Sequence, residues 1–369
     1  MIYFDNAATT LPKPEAVKAA VLLAMDSCGN PARGAHGAAM NALRTLLAGR
    51  EAVAGFFGVP GAENVAFTPN ATAALNLAIG AVRGHIVTTG AEHNSVLRPV
   101  HRRGNYTVVS LDALGRLDFD RLEAAIRPDT GAVVMTHASN LTGNVYDIAA
   151  AGRLCRAKGV RLIVDAAQSA GLLPIEMEKL GLSALCFSGH KSLYGPQGIG
   201  ALCLAPDFRP EPCFVGGSGS DSFSPEHPGR MPERLEAGTQ NAHGVAGLRA
   251  GIEYVKARAG ACFAEADQLA RRFTSGVRNL AAYTLYGDLD AQLRAPVVAL
   301  NHRRMESAEL ALKLDDGYGI AVRAGAHCAP LMHKALGTGE AGAVRFSFSH
   351  FNTADEVDTA LEALEVLAR

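Results

Sequence analysis

The sequence lacks a charge of its own: 35 Lys and Arg stand against 36 Asp and Glu, a formal net charge of -1. No global field therefore draws it to nucleic acid or an anionic membrane. It also lacks a long apolar run. The longest uncharged stretch, residues 64–82, holds Pro69, two threonines and three asparagines, which a bilayer-spanning helix would not carry. The start, Met1-Ile2-Tyr3-Phe4-Asp5, has neither a basic end nor an apolar signal core, so a cytoplasmic protein is expected. Paired cysteines are missing too. Cys28, Cys155, Cys186, Cys203, Cys213, Cys262 and Cys328 are odd in number and scattered, without a Cys-x-x-Cys pair. That pattern argues against a disulfide framework or a zinc site, and most of these thiols are expected to be buried and reduced. Gly-x-Gly-x-x-Gly after a strand, Gly-x4-Gly-Lys-Ser/Thr, His-Glu-x-x-His and Gly-x-Ser-x-Gly are all absent. Nicotinamide dehydrogenase, P-loop, zincin and serine hydrolase readings lose ground accordingly.

What is present is a core. Apolar residues make up 48% and charged residues 19% of 369 positions, enough to bury a large interior and to fill one large domain and a smaller companion. Apolar runs predict strands at 65–68, 86–88, 106–111, 132–136, 161–165, 184–187 and 200–204. Helical patterns at 71–82, after Glu92, at 119–126 and at 148–158 alternate with the first five. This β-α rhythm predicts a mostly parallel sheet with helices on both faces. Only Gly, Ser and Pro turns separate the last two runs, so one of them is expected to run antiparallel. Residues 216–232 read as a loop or hairpin rather than a core element. Helical patterns at 244–258 and 262–280, strands at 297–301 and 343–347 and a helix at 354–367 make a second α/β unit.

Polar residues cluster at the ends of the predicted strands, where open α/β sheets place ligands. Asn70-Ala71-Thr72 opens a helix whose free N–H groups suit a phosphate or, more plainly, an ordinary N-cap. His93 follows the 86–88 strand and could stack on a planar ligand, move protons or simply cap. Asn140 lies in a turn after 132–136. Asp165 ends an apolar strand, where a carboxylate is costly unless it meets donors or a cation. Ser188-Gly189-His190-Lys191 ends another, a setting that could lower the lysine pKa and make it a carbonyl nucleophile. Singly each is weak. Together they meet the needs of pyridoxal 5'-phosphate: a lysine for its aldehyde, a carboxylate that keeps its pyridine nitrogen protonated, and donors for its phosphate.

At these residues the chain resembles the class V aminotransferases among fold-type I pyridoxal phosphate enzymes, and more closely the cysteine desulfurases. The segments that carry the resemblance are Asp5-Asn6-Ala7-Ala8-Thr9-Thr10, Asn30-Pro31 with Arg33-Gly34-Ala35-His36, Glu92-His93-Asn94-Ser95, Asp165-Ala166-Ala167-Gln168, Ser188-Gly189-His190-Lys191, Glu236-Ala237-Gly238-Thr239, Arg323-Ala324-Gly325-Ala326-His327-Cys328 and Arg345-Phe346-Ser347. The resemblance implies an α/β fold with a mostly parallel seven-stranded sheet between helices. It also implies a large cofactor-binding domain over 14–260 and a small domain from 1–13 and 261–369. Lys191 would bind the cofactor aldehyde, Asp165 the pyridine nitrogen, Gln168 the phenolic oxygen, and His93 would stack on the ring. Ala71, Thr72, Ser188 and His190 would hold the phosphate, with Thr239 reaching the phosphate of a neighbouring subunit, so a homodimer is implied. Arg345 would take the substrate carboxylate, a task suited to a guanidinium fork, with Ala7, His36 and Asn140 also toward the substrate.

Cys328 discriminates among subfamilies. In the desulfurases a thiolate takes sulfur from L-cysteine, leaving an enzyme persulfide and alanine, and His327 or Arg323 could assist Cys328 in that role. The tight Arg-x-Gly-x-His-Cys segment resembles the short-loop desulfurases, which pass sulfur to an acceptor protein. Two departures from the pattern stand out: Gly216–Asp221 where a Gly-Gly segment leads to an apolar hairpin, and Gln240 where proline is usual. Selenocysteine lyase and a class V aminotransferase, lyase or epimerase without persulfide chemistry are the competing readings.

Overall fold

The computed structural model describes residues 1–31 and 34–369. Arg33 of the Arg33-Gly34-Ala35-His36 segment lies outside the described residues. Seven strands form the central sheet in the spatial order Val65–Thr68, Gly200–Leu204, Ala184–Ser188, Arg161–Asp165, Thr130–Thr136, His85–Thr89 and Tyr106–Val109. Gly200–Leu204 runs antiparallel to both neighbours and the rest are mutually parallel. It is the reversed strand because residues 189–199 hold only turns and no crossover helix, and a parallel return needs about a dozen residues or more. The same short return leaves Lys191 just beyond the end of Ala184–Ser188.

Strand periodicity sorts the sheet residues onto two faces. Val133, Met135, Leu162, Val164, Leu185 and Phe187 pack with Leu46, Val53 and Phe57 of the Gly37–Phe57 helix and with Val245, Leu248 and Ile252 of the Ala242–Ala257 helix. Their alternates Ala132, Val134, Ile163, Ala184 and Cys186 pack with Ala74, Leu75, Ala78 and Ile79 of the Ala71–Gly80 helix and Val96 and Val100 of Asn94–Arg103. Gly251 permits one close approach: a Cβ there would sit 2.0 Å from the Leu193 carbonyl oxygen, in the loop that follows Lys191.

A second, antiparallel sheet runs Arg323–Gly325, Ala343–Ser347, Val297–His302, Tyr283–Tyr286. Its own core gathers Phe273, Leu310, Leu314, Phe346, Phe348, Val357 and Leu364. Phe4 joins that core, 4.9 Å from the Phe348 ring, because Ile2–Tyr3 pairs with Ile320–Ala321 and Asp5 bridges Ser347. The N-terminus is thereby tied to the strand that carries Arg345.

The predicted elements are found with ends that coincide or shift by one or two residues. Residues 216–232 hold no helix or strand. The helices Glu15–Ser27, Gly37–Phe57 and Ser307–Tyr318 were not anticipated. The first leaves Leu22, Leu23 and Met25 exposed, so it shows no single apolar stripe for the sequence to reveal. Among the described residues no helix is long and apolar enough to cross a membrane.

Candidate active site

The parallel strands end side by side, with Thr136 opposite Asp165 and Asp165 opposite Cys186. A cavity of about 270 Å³ lies over these ends, close to the lower limit of small-ligand sites, roughly 300 Å³. Its walls include Ala71, Thr72, His93, Asn140, Asp165, Gln168, Ser188, His190 and Lys191, so nine of the residues singled out in the sequence meet at one place. Asn70, read as the cap of its helix, completes the lining with Ser95, Thr136, Ala138 and Ala167, to which the sequence assigned no role.

The capping and cavity roles turn out to be compatible. Asn70 caps Ala71–Gly80 by accepting from the Ala73 N–H at 3.0 Å, and the Ala71 N–H donates to Ser188 Oγ at 2.9 Å. His93 caps Asn94–Arg103 with Nδ1, which accepts the Ser95 N–H at 3.0 Å. The proton of a neutral ring then sits on Nε2. Burial and the nearby Lys191 push the His93 pKa down to about 4, so the neutral ring is the form present near pH 7.

Asp165 accepts the Ala167 N–H at 2.9 Å, and burial raises its pKa. Burial also lowers the Lys191 amine to about 8, against the opposing pull of Asp165. The backbone around Lys191 is held from the N-terminus. The His190 carbonyl accepts from Lys13 Nζ at 2.6 Å and Thr10 Oγ1 at 3.2 Å, and the Lys191 carbonyl accepts from Thr10 Oγ1 at 3.0 Å. Desolvation lowers Lys13 to about 8. Gln168 Nε2 donates to the Ala7 carbonyl at 3.0 Å, and Ala7 N–H to Ser347 Oγ at 2.9 Å. Ala7 is thus joined to the site through Gln168.

Arg345, 3% exposed, lies behind this wall. Its Nη1 donates to the Asn140 carbonyl at 3.0 Å and its Nη2 to Asp5 at 2.7 Å, while Nε is buried without a partner. Asp5 also accepts from Arg323 Nε at 2.9 Å and Nη2 at 2.8 Å. The sequence quoted Asp5 only as part of a motif. Its clasp on two arginines from adjacent strands is a tertiary fact.

Cys328 is exposed and lies outside the Lys191 cavity, in an adjoining hollow of about 450 Å³ that it shares with Thr72, His93, Ser95, Arg98 and Arg102. The two hollows have Thr72, His93 and Ser95 in common. Of the two proposed helpers, His327 is held neutral: burial pushes it down to about 4, and its Nε2 donates to the Ala343 carbonyl at 2.9 Å. Arg323 keeps its charge, raised by its hydrogen bonds to Asp5 and, to a lesser degree, by the nearby Cys328.

Two further candidates lie away from this cavity. His36 is exposed and caps Gly37–Phe57. Thr239 lines a separate cleft of about 760 Å³ with Arg50, Gly217 and Gln240.

The donor set fits pyridoxal phosphate. A buried carboxylate and a buried amine face one cavity. A helix N-terminus with Thr72 and Ser188 stands at its end, and His190 has a buried Nδ1 without a partner.

Comparison with known proteins agrees with this geometry. Residues 2–360 match the family model "Aminotransferase class-V". A probable cysteine desulfurase of Methanothermobacter thermautotrophicus is 32% identical, over 100% of this chain and 94% of that protein. Cysteine desulfurase IscS of Vibrio atlanticus is 33% identical, over 99% and 92%. Among solved structures, the apo cysteine desulfurase of Thermococcus onnurineus superposes with a TM-score of 0.92 at 35% identity, covering 100% of this chain and 94% of that one. The chain belongs to the class-V aminotransferase family, a family of pyridoxal phosphate enzymes, and is similar along its length to cysteine desulfurases.

Proposed function

We propose that the protein is a pyridoxal phosphate-dependent cysteine desulfurase, converting L-cysteine to L-alanine and carrying the sulfur as a persulfide on Cys328. The observation that carries the reading is the placement of an exposed thiol in a hollow sharing the His93 wall with the Lys191 cavity. Lys191, Asp165, Gln168, Ser188, His190, Ala71 and Thr72 would hold the cofactor, which supplies an electron sink for bonds to the substrate α-carbon.

Arg345 would orient the substrate through its carboxylate, its Nε being the guanidinium donor that Asn140 and Asp5 leave without a partner. Lys191 Nζ, with a pKa near 8, is suited to taking and returning the Cα proton near neutral pH. His93, neutral and protonated on Nε2, is suited to hydrogen bonding and proton transfer at the same face. Cys328 Sγ, as thiolate, attacks the substrate sulfur: the S–S bond forms, the C–S bond breaks with its electron pair left on carbon, and a proton completes alanine. The charged Arg323 lies near this sulfur. An acceptor thiol then removes the outer sulfur and restores Cys328. The similarity to the named desulfurases supports this reading, as does the exposure of Cys328 toward any acceptor protein.

Thr239 and the exposed Leu43 and Leu47 near its cleft support a homodimer with shared sites. Selenocysteine is a second substrate candidate, since its weaker carbon bond makes less demand on Cys328.

The test is product analysis with L-cysteine. With an added dithiol to reduce the persulfide, wild type should give alanine and sulfide in equal amounts, and Cys328→Ala should lose both by at least roughly 100-fold. Equal alanine production by the variant would remove Cys328 from the reaction. A keto acid in place of alanine would move the protein to transamination.

A further inference from the structure

We propose that Asn140 is a positioning residue for the Cys328 thiol, its side-chain amide fixing the Cys328 loop while its backbone carbonyl fixes Arg345. The inference rests on the reading of Cys328 as the sulfur nucleophile, and it assigns Asn140 a task other than direct contact with substrate or ring. Asn140 Nδ2 donates to the His327 carbonyl at 2.7 Å, and the Asn140 carbonyl accepts from Arg345 Nη1 at 3.0 Å. The residue is 8% exposed, so the amide's bond to the loop is made out of bulk water.

The loop needs such a tether. His327 and Cys328 have φ of 49° and 54°, two successive non-glycine residues in the left-handed region. Side chains with a Cβ hold that conformation only where the surroundings over-determine it. Three bonds do so here: the Asn140 amide on the His327 carbonyl, the Asn94 N–H on the Cys328 carbonyl at 2.8 Å, and His327 Nε2 on the Ala343 carbonyl at 2.9 Å. Only the first comes from a side chain outside the loop.

The anchoring side is firm. Ser139 N–H donates to the Asn144 carbonyl at 2.8 Å, and Ser139 Oγ accepts from the N–H groups of Leu141 at 3.2 Å and Thr142 at 3.1 Å. A tight turn at the end of Thr130–Thr136 thus carries both the group that sets the carboxylate-binding guanidinium and the group that sets the thiol. The separation of substrate carboxylate from attacking sulfur is then a property of one residue.

The experiment uses the holoenzyme with Asn140→Ala, Asn140→Asp and Asn140→Ser, the cofactor absorbance band serving as the check on folding. Asp keeps the volume and removes the donor, so it stands in should Ala fail to fold. Expected are a fall in kcat for L-cysteine of roughly 10–100-fold, the scale of a displaced reacting group, with KM and the dissociation constant of L-alanine changed less than about threefold. Amide hydrogen exchange should speed up in the peptide spanning 326–329 in the absence of substrate. Unchanged exchange there, or a rise in KM and in the L-alanine constant with kcat intact, would overturn the proposal in favour of substrate contact. The exchange measurement needs no turnover. If wild type proved not to form alanine at all, the functional reading would fall while the tether was still decided.

Discussion

Glu92 is fully buried beside the end of the Thr130–Thr136 strand, where one carboxylate oxygen accepts from Thr89 Oγ1 and from the Thr136 N–H at 3.1 Å and the other has no partner. Burial, with a smaller push from Asp165, raises its pKa to about 8. The folded state therefore keeps a proton that the unfolded chain loses above about 4.5, and stability falls as pH rises across that window, levelling off above about 8. Glu92→Gln keeps the accepting oxygen and removes the ionisation. Its melting temperature should gain steadily on wild type between about pH 5 and 8, and a constant difference across that range would show that Glu92 is ionised in the fold. Lys191 titrates in the opposite sense. Its amine, lowered to about 8 by burial, attacks carbonyls only when neutral. The rate of pyridoxal phosphate uptake by the apoprotein should rise through about pH 8 and level off above it, whereas a free surface lysine would keep rising toward about 10.4. Stopped-flow absorbance distinguishes the two.

At the scale of elements, the buried pair Arg50–Glu236 links the Gly37–Phe57 helix to the segment that carries Thr239. Arg50 Nη1 donates to Glu236 at 2.7 Å and to the Val65 carbonyl at 2.6 Å, and Glu236 accepts the Phe67 N–H at 2.6 Å. Removing one partner leaves a charge without compensation away from water. Glu236→Ala should cost about 3–5 kcal/mol in denaturant unfolding, and a loss under about 1 kcal/mol would mean that water replaces the carboxylate. None of this was visible in the sequence, where Arg50 drew no notice and Glu236 only marked a motif. The central strands were visible, because β-branched and apolar runs of four to seven residues bounded by polar ends have few other uses. The helices before residue 65 were not, since one of them keeps large apolar residues on its outer face.

Across the whole molecule, Leu22, Leu23 and Met25 of Glu15–Ser27 are 63%, 68% and 59% exposed, and Leu43 and Leu47 of Gly37–Phe57 are 38% and 51% exposed. That much large apolar surface on two neighbouring helices is the mark of a face meant to be covered, and the Thr239 cleft opens beside Leu43 and Leu47. A second copy is the expected cover. Leu47→Glu should shift the sedimentation coefficient from dimer to monomer and weaken pyridoxal phosphate binding, if Thr239 serves the neighbouring site. A monomeric wild type would refute both.

By itself the sequence determined the α/β rhythm, a reversal of direction in one of the last two strands of the large sheet, and the conjunction of Lys191, Asp165, His93 and the Asn70-Ala71-Thr72 helix start. It could do so because local periodicity and strand-end chemistry are written within short windows. Only the tertiary structure decided how residues far apart along the chain meet. Asp5 clasps Arg323 and Arg345, Lys13 and Thr10 hold the Lys191 backbone, and Asn140 reaches the loop of Cys328. Hydrogen bonds between side chains and distant carbonyls leave no periodic trace, because any of many polar residues can make them and packing alone selects which one does.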